Sequence, residues 1–231
     1  MGLFMQLPPS IWDGNSFTVI LNIVKGLAPV LPMLLILGVV ALICKFFRRP
    51  SVKGWVGESV VNYGISRLDP TQYLSLKNLY IPHAFNDGTT EVDHVIVSRY
   101  GIFVIETKNY SGSIYGRAED KQWTQVCRGQ KNKFRYPLKQ NDCHIRSLAD
   151  FLNLPTEVFH PVVFFVGDAR FKTAWPAGVL AGGLSHYITS KTDVLFTEQE
   201  ATSIGNRLKT YDTGMDKRRV GRAHVARISS K

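Results

Sequence analysis

The sequence has few cysteines and no cysteine pair. Its three cysteines, Cys44, Cys127 and Cys143, never form the C-x-x-C spacing that is typical of a thiolate metal site or a redox pair. A disulfide framework and a structural zinc site are therefore not indicated, and the cysteine usage fits a reducing compartment. The chain also lacks internal repeats and low-complexity segments. Its 231 residues, 45% hydrophobic and 20% charged, fit one ordinary domain with an appendage.

The middle of the chain has no net charge, although the whole chain carries +10. Residues 1–53 hold five cations and one acid, residues 54–216 hold 17 of each sign, and residues 217–231 hold six cations and no acid. The basic character therefore belongs to the two ends. A high pI by itself does not argue that the folded domain binds nucleic acid.

A run of eighteen uncharged residues covers positions 27–44, with the sequence LAPVLPMLLILGVVALIC. As a helix it would be about 27 Å long, close to the ~30 Å thickness of the hydrocarbon core of a bilayer. We predict a transmembrane helix over residues 27–47, with Lys45 reaching the membrane interface. The alternative is a buried globular helix, although such a helix is rarely apolar on all sides over this length.

The charges on either side of this run predict its orientation. Only Lys25 precedes it, whereas four cations follow it closely: Lys45, Arg48, Arg49 and Lys53. The positive-inside rule therefore predicts residues 1–26 as a short extracytoplasmic N-terminus and places the remaining chain in the cytoplasm. This describes a single-pass protein of the bacterial inner membrane. Residues 211–231 form a basic C-terminal tail, expected to be flexible and to contact anionic lipid headgroups or nucleic acid.

Strands framed by helices follow the apolar run. The residue spacing predicts helices over 51–68 and 137–153, and the capping box Thr197-x-x-Glu200 opens a last helix. Two β-rich runs, EVDHVIV and IFVIETKNY, flank SRYG and predict a hairpin. Other strands are expected at 73–81, 113–116, 122–127 and 158–166, with short ones near Ile188 and Val194. We therefore predict an α/β or α+β domain over residues 51–210.

The hairpin brings two acids together if it turns around residues 98–101. Asp93 then faces Glu106, and Lys108 lies on the same face of the sheet because side chains alternate along a strand. Two opposed carboxylates repel each other, so a positive group is expected between them, either Lys108 or a divalent cation. A three-residue loop with a bulge would shift these partners.

A carboxylate pair followed by Glu-x-Lys suits metal-dependent cleavage of phosphodiesters. Carboxylates hold Mg²⁺, which polarises a phosphoryl oxygen and lowers the pKa of a coordinated water. The lysine neutralises charge on the phosphate or orients the attacking water. Structural interpretations remain open: Glu106 and Lys108 can be a surface ion pair, and Asp93 can cap its strand.

Three stretches carry a resemblance to a known family: Gly57-Glu58 in the first helix, the run EVDHVIVSRYGIFVIETKNYSGSIYG, and YPLKQN at the start of the next helix. With them, residues 53–153 resemble the nuclease-related domain (NERD) family, a branch of the PD-(D/E)xK, restriction-endonuclease-like superfamily. The resemblance implies a restriction-endonuclease-like fold, in which helices flank a mixed β-sheet. Fold kinship alone does not establish function.

The resemblance also assigns roles to individual positions. It implies that Asp93 and Glu106 are ligands of Mg²⁺ or Mn²⁺, with the Thr107 backbone carbonyl as a third ligand. The catalytic positions that it implies are Lys108, Glu58 and Gln140.

A basic, aromatic-containing segment precedes Gln140. Residues 128–139, RGQKNKFRYPLK, contain no acid and five cations: Arg128, Lys131, Lys133, Arg135 and Lys139. We interpret this segment as a loop that binds phosphates, with the alternative of a solvated loop or one that contacts lipid headgroups. The preferred hypothesis is a membrane-anchored nuclease acting on DNA rather than RNA. The alternatives are a tethered module that binds nucleic acid or protein without cleavage, and a membrane-tethered scaffold.

Overall fold

The computed structural model describes residues 30–47 and 50–229, together with residues 22, 25 and 26. The chain divides into two compact units, residues 1–53 and residues 54–231. The predicted extracytoplasmic segment, residues 1–26, lies almost wholly outside the described residues.

Helix α1 covers Val30–Phe47, and the side chains described in it are exposed. Among the helices in the described part of the chain, none is long and apolar enough to cross a bilayer. The predicted transmembrane helix over residues 27–47 is therefore not supported as a span, although the described part of this segment is helical. Residues 27–29 lie outside the described residues.

A five-stranded mixed sheet forms the centre of the second unit, with strand order β1-β2-β3-β7-β9. Strands β1 to β3 are antiparallel, whereas β7 and β9 continue the sheet in parallel. The strand bounds are Leu74–Pro82 (β1), Thr89–Ser98 (β2), Gly101–Asn109 (β3), Phe159–Val166 (β7) and Val179–Leu180 (β9). Strands β3 and β7 are buried along most of their length, which explains their nearly continuous apolar sequences.

A second sheet of four strands has the order β6-β5-β4-β8. Its strands are Gly112–Tyr115 (β4), Gln122–Cys127 (β5), Gln130–Arg135 (β6) and Ala169–Phe171 (β8). Trp123 of β5 is fully buried and packs with Ile114 and Phe165. The fold is thus mixed α/β as predicted, but with two sheets where one was expected.

The segment predicted as a basic loop is instead a hairpin arm. Arg128 and Gly129 have φ values of +52° and +79° and link β5 to β6, which suits a two-residue turn of the type I′ class. Strand β6 is exposed apart from the half-buried Phe134. Because neither face is buried, its sequence lacks the alternation that would have predicted a strand.

Among the described residues, five helices follow α1, the first of which begins just before the second unit. They are Pro50–Ser66 (α2), Pro137–Leu152 (α3), Leu184–Thr189 (α4), Glu198–Thr213 (α5) and Lys217–Ser229 (α6), with a 3₁₀ turn at Thr156–Val158. The capping box at Thr197 is confirmed, since its side chain accepts from the Glu200 N–H and the Glu200 carboxylate accepts from the Thr197 N–H.

Three predictions in the C-terminal third were wrong. The strand expected near Ile188 is helix α4, whose buried Leu184 and Ile188 are four residues apart. Val194 is exposed and lies outside any strand. The tail predicted for residues 211–231 contains the end of α5 and helix α6, which packs on β1 and β2.

The two faces of the large sheet carry different helices. Helices α3 and α5 pack on the face that includes Val95 and Val104. Helices α2 and α4 pack on the opposite face, where Val61 meets Ile96 and Phe103. Helix α3 is fixed to the sheet by the side-chain amide of Asn141.

Asn141 is fully buried, and its Nδ2 donates to the Val104 and Val162 carbonyls at 2.8 and 3.0 Å. These carbonyls belong to β3 and β7, so one side chain joins α3 to two neighbouring strands. A buried amide that makes two such bonds fixes the position of its helix, because shifting it would leave polar groups unpaired. The first turns of α3 are therefore held over the end of β3.

Candidate active site

The site lies where the β2–β3 ladder ends. The predicted register is confirmed for Val97 with Ile102 and Val95 with Val104, but the predicted pair Asp93–Glu106 is not part of the ladder. The last ladder pair is His94 with Ile105, one step before Asp93. There the Asp93 carboxylate accepts the Thr107 N–H at 2.8 Å. Beyond the last ladder pair, the Asp93 side chain therefore accepts a hydrogen bond from the backbone of β3, which holds it beside that strand.

A local irregularity in β1 occurs opposite Asp93. The β1–β2 register is the same at Lys77–His94 and Leu79–Val92, but the intervening Asn78 and Asp93 are not paired. Asn78 has a φ of +51°, in the left-handed region that asparagine tolerates better than most residues. Backbone irregularities of this kind change the direction of side chains and are common next to functional sites.

Glu106 is the buried centre of a polar cluster and is only 4% exposed. Its Oε1 accepts from the Lys108 ammonium at 2.6 Å, and its Oε2 lies 3.2 Å from His144 Nε2. The same ammonium donates to Gln140 Oε1 at 3.0 Å. The structure therefore brings together Glu106, Lys108 and Gln140 from two elements that are more than thirty residues apart.

The two carboxylates affect each other's ionisation. Burial, and then the negative charge of Glu106, raises the pKa of Asp93 to about 7, against the opposing effects of the Thr107 N–H, Lys108 and His144. Burial also disfavours ionisation of Glu106, but His144 and Lys108 outweigh it and hold the pKa of Glu106 below its ordinary value. A buried carboxylate whose ionisation is opposed by a neighbouring negative charge makes a site that favours additional positive charge.

The donor set fits a hard divalent cation. In the described residues, no three His, Cys, Asp or Glu side chains form a group that could hold a metal ion by themselves. Mg²⁺ commonly binds through one or two carboxylates and completes its shell with water and substrate phosphate. Asp93 and Glu106 supply that number of carboxylates. A softer metal that requires several nitrogen or sulfur ligands does not fit this set.

His144 is a site residue that the sequence interpretation missed. It is 5% exposed and lies one turn after Gln140 on α3, so both side chains face the end of β3. Its Nδ1 lies 2.8 Å from Thr90 Oγ1, and its Nε2 faces Glu106. The six histidines show no metal-ligand spacing along the sequence. The only signal for His144 was the four-residue interval from Gln140.

Asp93, Gln140 and His144 open into a cleft of about 700 Å³. Of the predicted phosphate-binding cations, Arg135 and Lys139 line it. The residues that line it are His83, Asn86, Thr89, Thr90, Glu91, Asp93, Lys121, Gln122, Arg135, Tyr136, Lys139, Gln140, Cys143, His144, His224 and Arg227. The lining therefore combines four Lys or Arg residues with the acids Glu91 and Asp93, whereas Glu106 and Lys108 are not part of it.

Other predicted residues lie away from this cleft. Arg128, Lys131 and Lys133 are exposed on the β5–β6 hairpin and are not part of the cleft lining. Glu58 is exposed on α2, whose buried residue Val61 packs on the sheet face opposite to α3. Thr107 lies in β3, and its N–H donates a hydrogen bond to the Asp93 carboxylate. A ligand role for its carbonyl stays a prediction.

Comparison with known proteins relates the chain to one family. The sequence model of the nuclease-related domain matches residues 53–166, which contain Asp93, Glu106, Lys108 and Gln140. An uncharacterized protein of Bacillus anthracis is 31% identical over 183 residues, covering 76% of this chain and 85% of that protein. No solved structure matches the chain. Helix α6 lies outside the segment that the domain matches.

Proposed function

We propose, from the premise that this chain belongs to the nuclease-related domain (NERD) family, that it is a metal-dependent nuclease of the PD-(D/E)xK type acting on DNA. The observation that carries the proposal is the buried Glu106, which is paired with Lys108 and electrostatically coupled to Asp93. A surface ion pair would not require a carboxylate that is 4% exposed.

Asp93 and Glu106 are the residues that would hold Mg²⁺ or Mn²⁺, with the Thr107 carbonyl as a third ligand. Such an ion supplies Lewis-acid stabilisation of the charge that develops on the phosphate. The raised pKa of Asp93 supports this assignment, because burial and the negative charge of Glu106 disfavour its ionisation and a bound cation would offset both.

In this proposal Lys108 acts on the substrate directly. Its ammonium has three N–H donors, and two of them bind Glu106 Oε1 and Gln140 Oε1 at 2.6 and 3.0 Å. The third remains for a phosphate oxygen or for the attacking water. Because the two partners fix the ammonium before substrate arrives, little reorganisation is needed in the transition state.

The basic residues of the cleft favour an anionic polymer as substrate. Lys121, Arg135 and Lys139 line the same cleft as Asp93 and would bind phosphates of the substrate backbone. We also propose that a membrane anchor holds this activity, with the domain in the cytoplasm and the basic flank of the chain near lipid headgroups. The apolar run at residues 27–44 alone supports this attachment. Sedimentation of the expressed full chain with the membrane fraction would test it.

The full chain incubated with plasmid DNA and Mg²⁺ should convert it to nicked or linear products, and EDTA should abolish the conversion. The expected dependence follows from the two carboxylates, which need a cation to bring a phosphate anion near them. Gel electrophoresis of the plasmid measures the result, with an RNA substrate in parallel. Cleavage that is unchanged by EDTA would contradict the proposal. Salt-sensitive binding without cleavage would support the non-catalytic module instead.

Substitution of His144 by asparagine should weaken the apparent affinity for Mg²⁺ by about 10- to 100-fold, because residues that orient metal ligands typically contribute that much. The expected cause is loss of the Nε2 contact with Glu106. The Mg²⁺ concentration giving half-maximal cleavage measures the effect. His186→Asn, an exposed position on α4, is the matched control. An unchanged Mg²⁺ requirement in a folded His144→Asn protein would exclude an orienting role.

A further inference from the structure

Helix α6 packs next to the cleft although it lies outside the family's matched segment. His224 Nδ1 donates to the Thr89 carbonyl at 2.9 Å, since a carbonyl oxygen can only accept. The His224 ring also meets Tyr80 edge-on, with centroids 5.9 Å apart. Two contacts, one to β2 and one to β1, therefore fix the helix along the edge of the large sheet.

The same helix brings a guanidinium to the mouth of the cleft. Arg227 lies one turn after His224, and both line the cleft. A Cβ atom added at Gly88 would overlap Arg227 Nη1, so the guanidinium lies directly on the backbone of the β1–β2 turn. Residues 217–229 contain five Lys or Arg residues and no acid. A strongly cationic helix thus forms one side of the opening.

Other elements bring three further cations to the cleft. Arg135 belongs to β6, Lys121 directly precedes β5, and Lys139 lies in the first turn of α3. Cations on both sides of a groove are suited to a polyanion that runs through it, because each side neutralises separate phosphates. Arginine in particular presents a planar fork of donors that matches phosphate oxygens.

We infer that helix α6 is the second wall of a nucleic-acid cleft and that Arg227 binds a backbone phosphate of the substrate strand. The inference rests on the proposed function for the identity of the polyanion. It adds a binding residue from outside the matched domain and assigns a role to the C-terminal segment. Arg227 acts in substrate binding and not in the chemical step.

The test is equilibrium binding of a short fluorescent DNA duplex to the full chain in EDTA, which prevents metal-dependent cleavage. Arg227→Gln should weaken binding by about 5-fold and reduce the slope of log K against log salt by about 0.9, the value for one phosphate contact. The matched control is Arg218→Gln on the same helix. It lies nine residues earlier, about 180° around the helix from Arg227, and is exposed.

Arg218→Gln should leave both affinity and slope close to wild type, and Arg227→Lys should retain the slope because lysine keeps the charge. Equal effects of Arg218→Gln and Arg227→Gln would overturn the inference, since they would show only a general charge effect. Wild-type affinity in Arg227→Gln would overturn it as well. A wild-type chain that binds DNA with this pattern but never cleaves it would contradict the proposed nuclease and still support the wall.

Discussion

Replacement of Glu106 by glutamine is expected to lower the metal-dependent cleavage rate by about 1000-fold or more, the loss seen when a central electrostatic group is removed. Glu106 pairs with Lys108 at 2.6 Å and raises the pKa of Asp93. In the proposed site its charge would bind the cation as well as the lysine. Glutamine has nearly the same shape but no charge. Single-turnover cleavage at saturating Mg²⁺ measures the effect on the chemical step.

The control for this variant is Glu157→Gln, an exposed glutamate in the 3₁₀ turn. We expect its cleavage rate to stay close to that of the wild type. Thermal unfolding of both variants distinguishes lost chemistry from lost folding, because neutralising one member of a buried pair leaves the other charge uncompensated. A folded Glu106→Gln protein that cleaves DNA at the wild-type rate would show that the active site lies elsewhere.

The hairpin that carries Asp93, Glu106 and Lys108 was predictable because the residue pattern that specifies it lies within the hairpin's own sequence. Alternation in EVDHVIV and IFVIETKNY fixes which side chains share a face, and a one-residue slip would turn the buried valines outward. The observed pairs Val97–Ile102 and Ser98–Gly101 match that register and exclude the three-residue loop. Gly101 has a φ of +118°, which the turn requires and which glycine allows.

The parts that were missed depend on contacts between distant residues. His144 meets Thr90 across 54 positions, and His224 meets Thr89 across 135. Neither histidine belongs to a local motif, so nothing in the neighbouring sequence indicates a partner. The left-handed Asn78 opposite Asp93 is equally hidden, since asparagine occupies many ordinary loop and strand positions. Long-range packing decides these features, and sequence periodicity does not report it.

The charge of Asp93 should destabilise the protein when no metal is bound. Asp93→Asn should raise the melting temperature of the metal-free protein at about pH 8 by about 5 °C or more, because each kcal/mol shifts a domain of this size by roughly 2–4 °C. Burial and Glu106 raise the pKa of Asp93 to about 7, whereas an unfolded aspartate titrates near ~4. The folded protein therefore binds this proton more tightly than the unfolded chain does, and its stability declines as the pH rises from about 4 through about 7.

Asparagine removes the charge but keeps an oxygen that can accept the Thr107 N–H. The gain in melting temperature should therefore disappear at about pH 4, where wild-type Asp93 is protonated in the folded protein.

Mg²⁺ should stabilise the wild type at about pH 8 by mass action and stabilise Asp93→Asn much less, since the variant has lost a proposed ligand. Asp150→Asn, an exposed change on α3, should show neither effect. Calorimetric scans at both pH values, with Mg²⁺ and with EDTA, measure these differences. If Asp93→Asn were less stable than the wild type at about pH 8 in EDTA, the charge of Asp93 would not be disfavoured in the folded protein, and a cation would have no electrostatic reason to bind there.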